Sequence, residues 1–147
     1  NHSASMNYGR EEHYSHEERY RRAKEVVDIV KGLWDSYDDD AFGRDVESGI
    51  YFDHTKLHRL DHKGEFFSVR GPLNMERPPQ GHPVLVQAGA SEDGRNFAAE
   101  FAEAIFSPHL NIPEAKAYYD DVKSRMARYG RERDHLGLGG LHPSDEA

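Results

Sequence analysis

Pro83-Val84-Leu85-Val86-Gln87-Ala88-Gly89-Ala90-Ser91-Glu92-Asp93-Gly94 carries an apolar run through small residues straight into a helix start. Val84, Leu85 and Val86 show no polar alternation, the pattern of a strand buried on both faces. Gly89 and Ala90 let the backbone approach a bound group closely, and Ser91 is a favourable N-cap for a helix that opens near Glu92. The first amides of such a helix lack intrahelical partners and point beyond the strand's end. Strand, small-residue loop and helix N-terminus together suit a phosphate. An ordinary βα turn capped by Ser91 is the competing account, since many α/β turns of this kind bind nothing.

Downstream, the spacing predicts a helix over roughly Asp93 to Ala104, with Phe97, Phe101 and Ala104 along one side. Ile105-Phe106 can begin another strand, and Pro113 opens a helix at its first position. That helix is expected to run to Tyr129, with Ala117, Tyr118, Val122, Met126 and Tyr129 inward and Gly130 at the C-cap. Leu136 to Leu141 is weakly strand-like, its glycines counting against it. Upstream, Ala23, Val26, Val27, Val30, Leu33 and Trp34 form one apolar stripe of a helix over Glu11 to about Tyr37, ended by Asp38-Asp39-Asp40. His16 and Tyr20 are four apart and share a face of it. Residues 41–82 are broken by Gly and Pro, with strand character at Ile50-Tyr51-Phe52 and Glu65 to Val69. We read them as a β-containing insertion, and its length suits a lid over a pocket.

The 147 residues suffice for one domain with its own core, and 31% charged residues make it polar. A formal charge of -8 argues against nucleic acid and anionic membrane as main partners. Cysteine is absent, which excludes disulfides and thiolate metal sites. No apolar run approaches the roughly 20 residues of a membrane span, so a cytoplasmic location is expected. Asn1 stands where a Met would start a chain, from which we expect a longer parent sequence.

Four segments carry a family resemblance. They are Asn7-Tyr8-Gly9-Arg10 with His16-Glu17-Glu18-Arg19-Tyr20; Leu33-Trp34-Asp35; Lys56 to Leu73, with His62-Lys63-Gly64-Glu65-Phe66-Phe67 at its centre; and Gln80 to Ser91. Together they resemble the bacterial-luciferase-like, flavin-dependent monooxygenases of the nitrilotriacetate monooxygenase component A and dibenzothiophene-sulfone monooxygenase group. The resemblance runs from about Asn7 to Gly130. It implies an α/β fold that is part of a TIM (β/α)8 barrel, with residues 1–147 as a central portion of one barrel and 136–147 as a divergent tail. It implies reduced FMN, supplied by a separate NAD(P)H-dependent flavin reductase, and O2, of which one oxygen atom enters a small organic substrate and the other leaves as water. It matches His16 and Tyr20 to flavin contacts and places Gly89, Ala90 and Ser91 near the FMN phosphate. It assigns no catalytic residue here, and it leaves homo-oligomerisation open.

Two further readings compete. His54, His58 and His62, with Asp53 and Asp61 beside them, would share a face of a regular helix and could hold zinc. Gly64 and the strand-like neighbours speak against that helix, and we expect no metal; His13 and His16 with Glu12 and Glu17 make a weaker case still. The second alternative is a truncated, catalytically inactive remnant, or a piece that keeps only the phosphate loop. A partial barrel cannot cover both faces of its strands.

Overall fold

In a computed structural model, described over residues 6–7, 14–107 and 109–139, only the end of the apolar run enters strand β3 (Val86–Ala88), with Val84 and Leu85 ahead of it. The chain divides into two compact units, Asn1–Gly81 and His82–Ala147.

The second unit is built of alternating strands and helices. β3 leads into α2 (Glu92–Phe101), then β4 (Ala104–Phe106), α3 (Ile112–Arg125) and β5 (Gly137–Gly139). The three strands are parallel in the order β3-β4-β5, with Gln87 opposite Ile105 and Ile105 opposite Leu138. Pro113 sits in the first turn of α3, where its missing N–H costs nothing, and Asn111 caps that turn. A single 3₁₀ turn, Met126–Tyr129, closes the helix onto Gly130, whose φ of 66° is the left-handed C-cap. The core is Ala98, Ala99, Ala102, Ile105, Tyr118, Val122, Met126 and Leu136.

Three expectations change in this unit. The strand is not buried on both faces: Val84 is 57% and Val86 67% exposed, because Ile105 and the helices cover one side of the sheet only. Ala104 lies in β4, not on the helix, since α2 ends at Phe101 and Ala102 turns extended. Ala117 is exposed on α3, while the neighbouring Tyr118 is buried. The weakly strand-like tail does pair, as β5; residues 140 and 141 lie outside the described ones.

The first unit is organised by α1 (His16–Trp34). Ser15 caps it through the Glu18 amide, and it ends at Asp35, short of the acidic run. Leu33 ends in a hydrogen bond from the buried Ser36 hydroxyl, which also accepts from the Leu73 amide and so reaches into the long loop. Expected start residues Glu11 to His13 fall outside the described ones. The apolar stripe is only half covered: Ile29, not among the expected residues, is the buried one, and Val26 is 40% exposed.

The 41–82 region holds one hairpin, β1 (His62–Lys63) paired antiparallel with β2 (Ser68–Val69). Ile50-Tyr51-Phe52 forms no strand beyond an isolated bridge at Ile50; Tyr51 and Phe52 instead stack with Tyr37 and Phe42 in a cluster of rings. No helix among the described residues is long and apolar enough to cross a membrane.

Candidate functional site

The turn after β3 is where the second unit concentrates polar chemistry. Ser91 has extended backbone angles, and its hydroxyl accepts from the Gly94 amide at 3.1 Å, so the capping role read from sequence holds. Being at the carboxyl end of a parallel strand, the turn stands where open α/β sheets take their ligands.

Two side chains grip this turn from behind. Tyr118 on α3 donates its hydroxyl to the Gly89 carbonyl at 2.9 Å. Arg95, one turn into α2, donates Nε to the Ala90 carbonyl at 2.9 Å, and its guanidinium lies 5.2 Å from the Tyr118 ring centre. The ring of His109 lies 5.1 Å from that of Tyr118.

Acidic residues in the first turn of a helix would compete with a bound anion. Glu92 is drawn off by Arg125, which binds it at 2.5 and 3.0 Å and also holds Asp121. Asp121 in turn takes a 2.7 Å bond from Arg95. The Arg125 hydrogen bond holds the Glu92 carboxyl below its usual range. Burial pushes Asp121 up, yet the bonds from Arg125 and Arg95 outweigh it and its pKa is lowered. The Glu92 and Asp121 bonds raise the Arg125 guanidinium above its ordinary value. The result is a linear chain of charges, Arg95–Asp121–Arg125–Glu92, tying α2 to α3.

Gln87 Oε1 in β3, and Ser107 Oγ and His109 Nε2 just past β4, are buried polar atoms without a hydrogen-bond partner among the described residues. Ser107 and His109 lie beyond the carboxyl end of β4, the neighbour of the strand that carries the turn. Unmet buried polar groups mark places where a ligand or water completes the bonding.

In the first unit, His16 and Tyr20 face each other on α1 with ring centres 5.0 Å apart. His16 is exposed and Tyr20 half-buried. Both rings therefore share one helix face near its N-terminus, as their spacing requires. The His54, His58 and His62 set does not form a helix face. Residues 54–56 make a 3₁₀ turn, His58 pairs with Asp38 at 2.9 Å, and His62 on β1 pairs with Glu25 at 2.9 Å. Among the described residues no cluster of metal-ligating side chains is assembled. Glu12 and His13 lie outside them.

Arg95 was not legible as a functional residue from the sequence, although it lies four positions after the cap. The helical spacing of Tyr118 marks it as core and nothing more. A tyrosine at an inward position, where phenylalanine would fill the same space, signals a hydrogen-bond partner inside.

A sequence model described as luciferase-like monooxygenase matches residues 3–142. Nitrilotriacetate monooxygenase component A of Aminobacter aminovorans is 50% identical over 130 residues, 88% of this chain and 29% of that protein. A crystal structure of long-chain alkane monooxygenase superposes with a TM-score of 0.89 at 40% identity, over 94% of this chain and 32% of that one. A crystal structure of riboflavin lyase, with modified FMN and riboflavin, superposes with a TM-score of 0.86 at 36% identity, over 93% of this chain and 30% of that one. The chain spans 29–31% of the length of the first curated relatives it matches.

Proposed function

Because the chain belongs to the luciferase-like monooxygenase family, we propose that it supplies the phosphate end of an FMN site in a flavin-dependent monooxygenase acting on a small organic substrate. The observation that carries this is the Gly89-Ala90-Ser91 turn, set at the carboxyl end of a parallel strand and opening a ten-residue helix. Its donor chemistry fits a dianionic ester: backbone amides, a serine hydroxyl, and a helix N-terminus whose dipole favours negative charge. The pairing of Glu92 with Arg125 supports the fit, because it counters one of the two carboxylates, Glu92 and Asp93, in the first turn of that helix. The unmet Ser107 and His109 atoms add capacity for hydrogen bonds at the same edge of the sheet.

Bound reduced FMN supplies the activation of O2. The protein's part is to anchor and orient: the turn fixes the phosphate, and the side chains behind it keep the turn in place. His16 and Tyr20 belong to this proposal as flavin contacts, on the strength of the resemblance; imidazole and phenol both offer donors. A separate NAD(P)H-dependent reductase delivers the flavin in this scheme, in keeping with a relative named as a component A. The cytoplasm is the proposed location.

Titration of the chain with FMN, followed by flavin fluorescence quenching, tests the proposal. FMN is expected to saturate at micromolar concentration and to bind at least about tenfold tighter than riboflavin, which lacks the phosphate; an anion held by several charge-assisted bonds supports that margin. Ser91→Ala is expected to shrink the margin. No saturation with FMN at all would favour the inactive remnant.

A further inference from the structure

Two carbonyls of the 89–91 turn are held by side chains of the second unit's helices. Tyr118 Oη donates to the Gly89 carbonyl and Arg95 Nε to the Ala90 carbonyl, both at 2.9 Å. In a trans peptide the C=O and the following N–H point in opposite directions. Fixing the Gly89 carbonyl toward Tyr118 therefore sends the Ala90 N–H the other way. Fixing the Ala90 carbonyl toward Arg95 does the same for the Ser91 N–H. The geometry points to Tyr118 and Arg95 as positioning residues that aim two consecutive backbone amides of the turn outward, at the phosphate of the ligand. This rests on the FMN-phosphate assignment above.

Both tethers are themselves immobilised. Tyr118 is 3% exposed, its ring flanked by His109 and by the Arg95 guanidinium. Arg95 is locked by Asp121, which is locked by Arg125. A turn rich in small residues has many accessible conformations when unconstrained. Two anchored donors remove that freedom before the ligand arrives, so less ordering is left to be done on binding. Neither side chain needs to touch the phosphate for this.

The test compares FMN with riboflavin on the full chain and on Tyr118→Phe, which keeps the ring in the core and deletes only the hydroxyl. The preference for FMN over riboflavin is expected to fall roughly three- to tenfold, the range one hydrogen bond supports. Riboflavin affinity is expected to stay within about twofold, since the lost bond concerns only the phosphate. In the ligand-free variant the Ala90 amide resonance is expected to move in a ¹H–¹⁵N spectrum. A wild-type chain that binds both flavins equally sinks the phosphate assignment itself. A wild-type preference that survives intact in Y118F, or an unmoved Ala90 resonance, overturns the positioning role alone. If Y118F does not fold, Arg95→Lys carries the same comparison: it keeps the positive charge but lacks the Nε–H, so an undiminished preference would overturn the inference.

Discussion

The two units solve the same problem with different means. The second buries a row of small and branched residues, Ala98, Ala99, Ala102, Ile105 and Val122, between helices and one face of a parallel sheet. The first has few buried apolar side chains and relies on polar staples instead. Glu25 on α1 accepts from the amides of Phe66 and Phe67 at 2.8 and 2.9 Å and meets His62 at 2.9 Å, so one carboxylate gathers the whole hairpin tip. Arg77 joins Asp35 and Asp39 in the same manner. A regular βα packing tolerates exposure on its outer face. A long loop without a core must instead satisfy its backbone one group at a time.

This contrast can be broken at its strongest point first. Ile105 is 1% exposed, and Ile105→Ala is expected to destabilise the second unit by about 2–5 kcal/mol, measured by denaturant unfolding followed at α2 and α3 amides. A loss well under that range would mean the sheet face is not the anchor of that unit.

A smaller effect is expected in the polar unit. A Cβ at position 64 would overlap both Glu25 Oε1 and His62 Nε2. Gly64→Ala should therefore push the hairpin off its carboxylate, costing about 1–3 kcal/mol, with faster hydrogen exchange at Phe66 and Phe67. Unchanged exchange there would show that Glu25 does not hold the tip.

The most local expectation concerns acid. Burial raises the Glu25 carboxyl, but the His62 bond and the two amides outweigh it and its pKa is lowered. A carboxyl whose folded pKa lies below the unfolded one stabilises fully above the unfolded value and loses that contribution as pH falls through the folded value. Protection of the Phe66 and Phe67 amides should thus decline below the ordinary glutamate range. In Glu25→Gln that acid dependence should disappear; its persistence would assign the effect to another group.

Much of the second unit could be read before any coordinates. β3, β4 and α2 follow from the Val84–Val86 run, the Ser91 cap and the Ile105-Phe106 pair, because these are signals confined to a few neighbouring residues. Gly130 and Pro113 mark the ends of α3 and its closing turn for the same local reason. Ile50-Tyr51-Phe52 misled: strand-like residues pack as well in a ring cluster as in a sheet, and nothing in their order separates the two. Ile29 is buried although it lies beside the apolar stripe and not in it, because which turn of α1 is covered depends on the loop that returns to it.

Local sequence was enough for the family, the order of strand, turn and helix up to Gly94, the Ser91 cap and the sharing of one helical face by His16 and Tyr20. These follow from spacing and from the chemistry of adjacent residues. The folded chain alone reveals that Tyr118 and Arg95 hold the carbonyls of Gly89 and Ala90, that Arg125 draws Glu92 aside, and that Glu25 carries the hairpin of residues 62–69. Each of these joins groups far apart in the chain, and a hydrogen bond depends on distance and angle, which no local pattern of residues encodes.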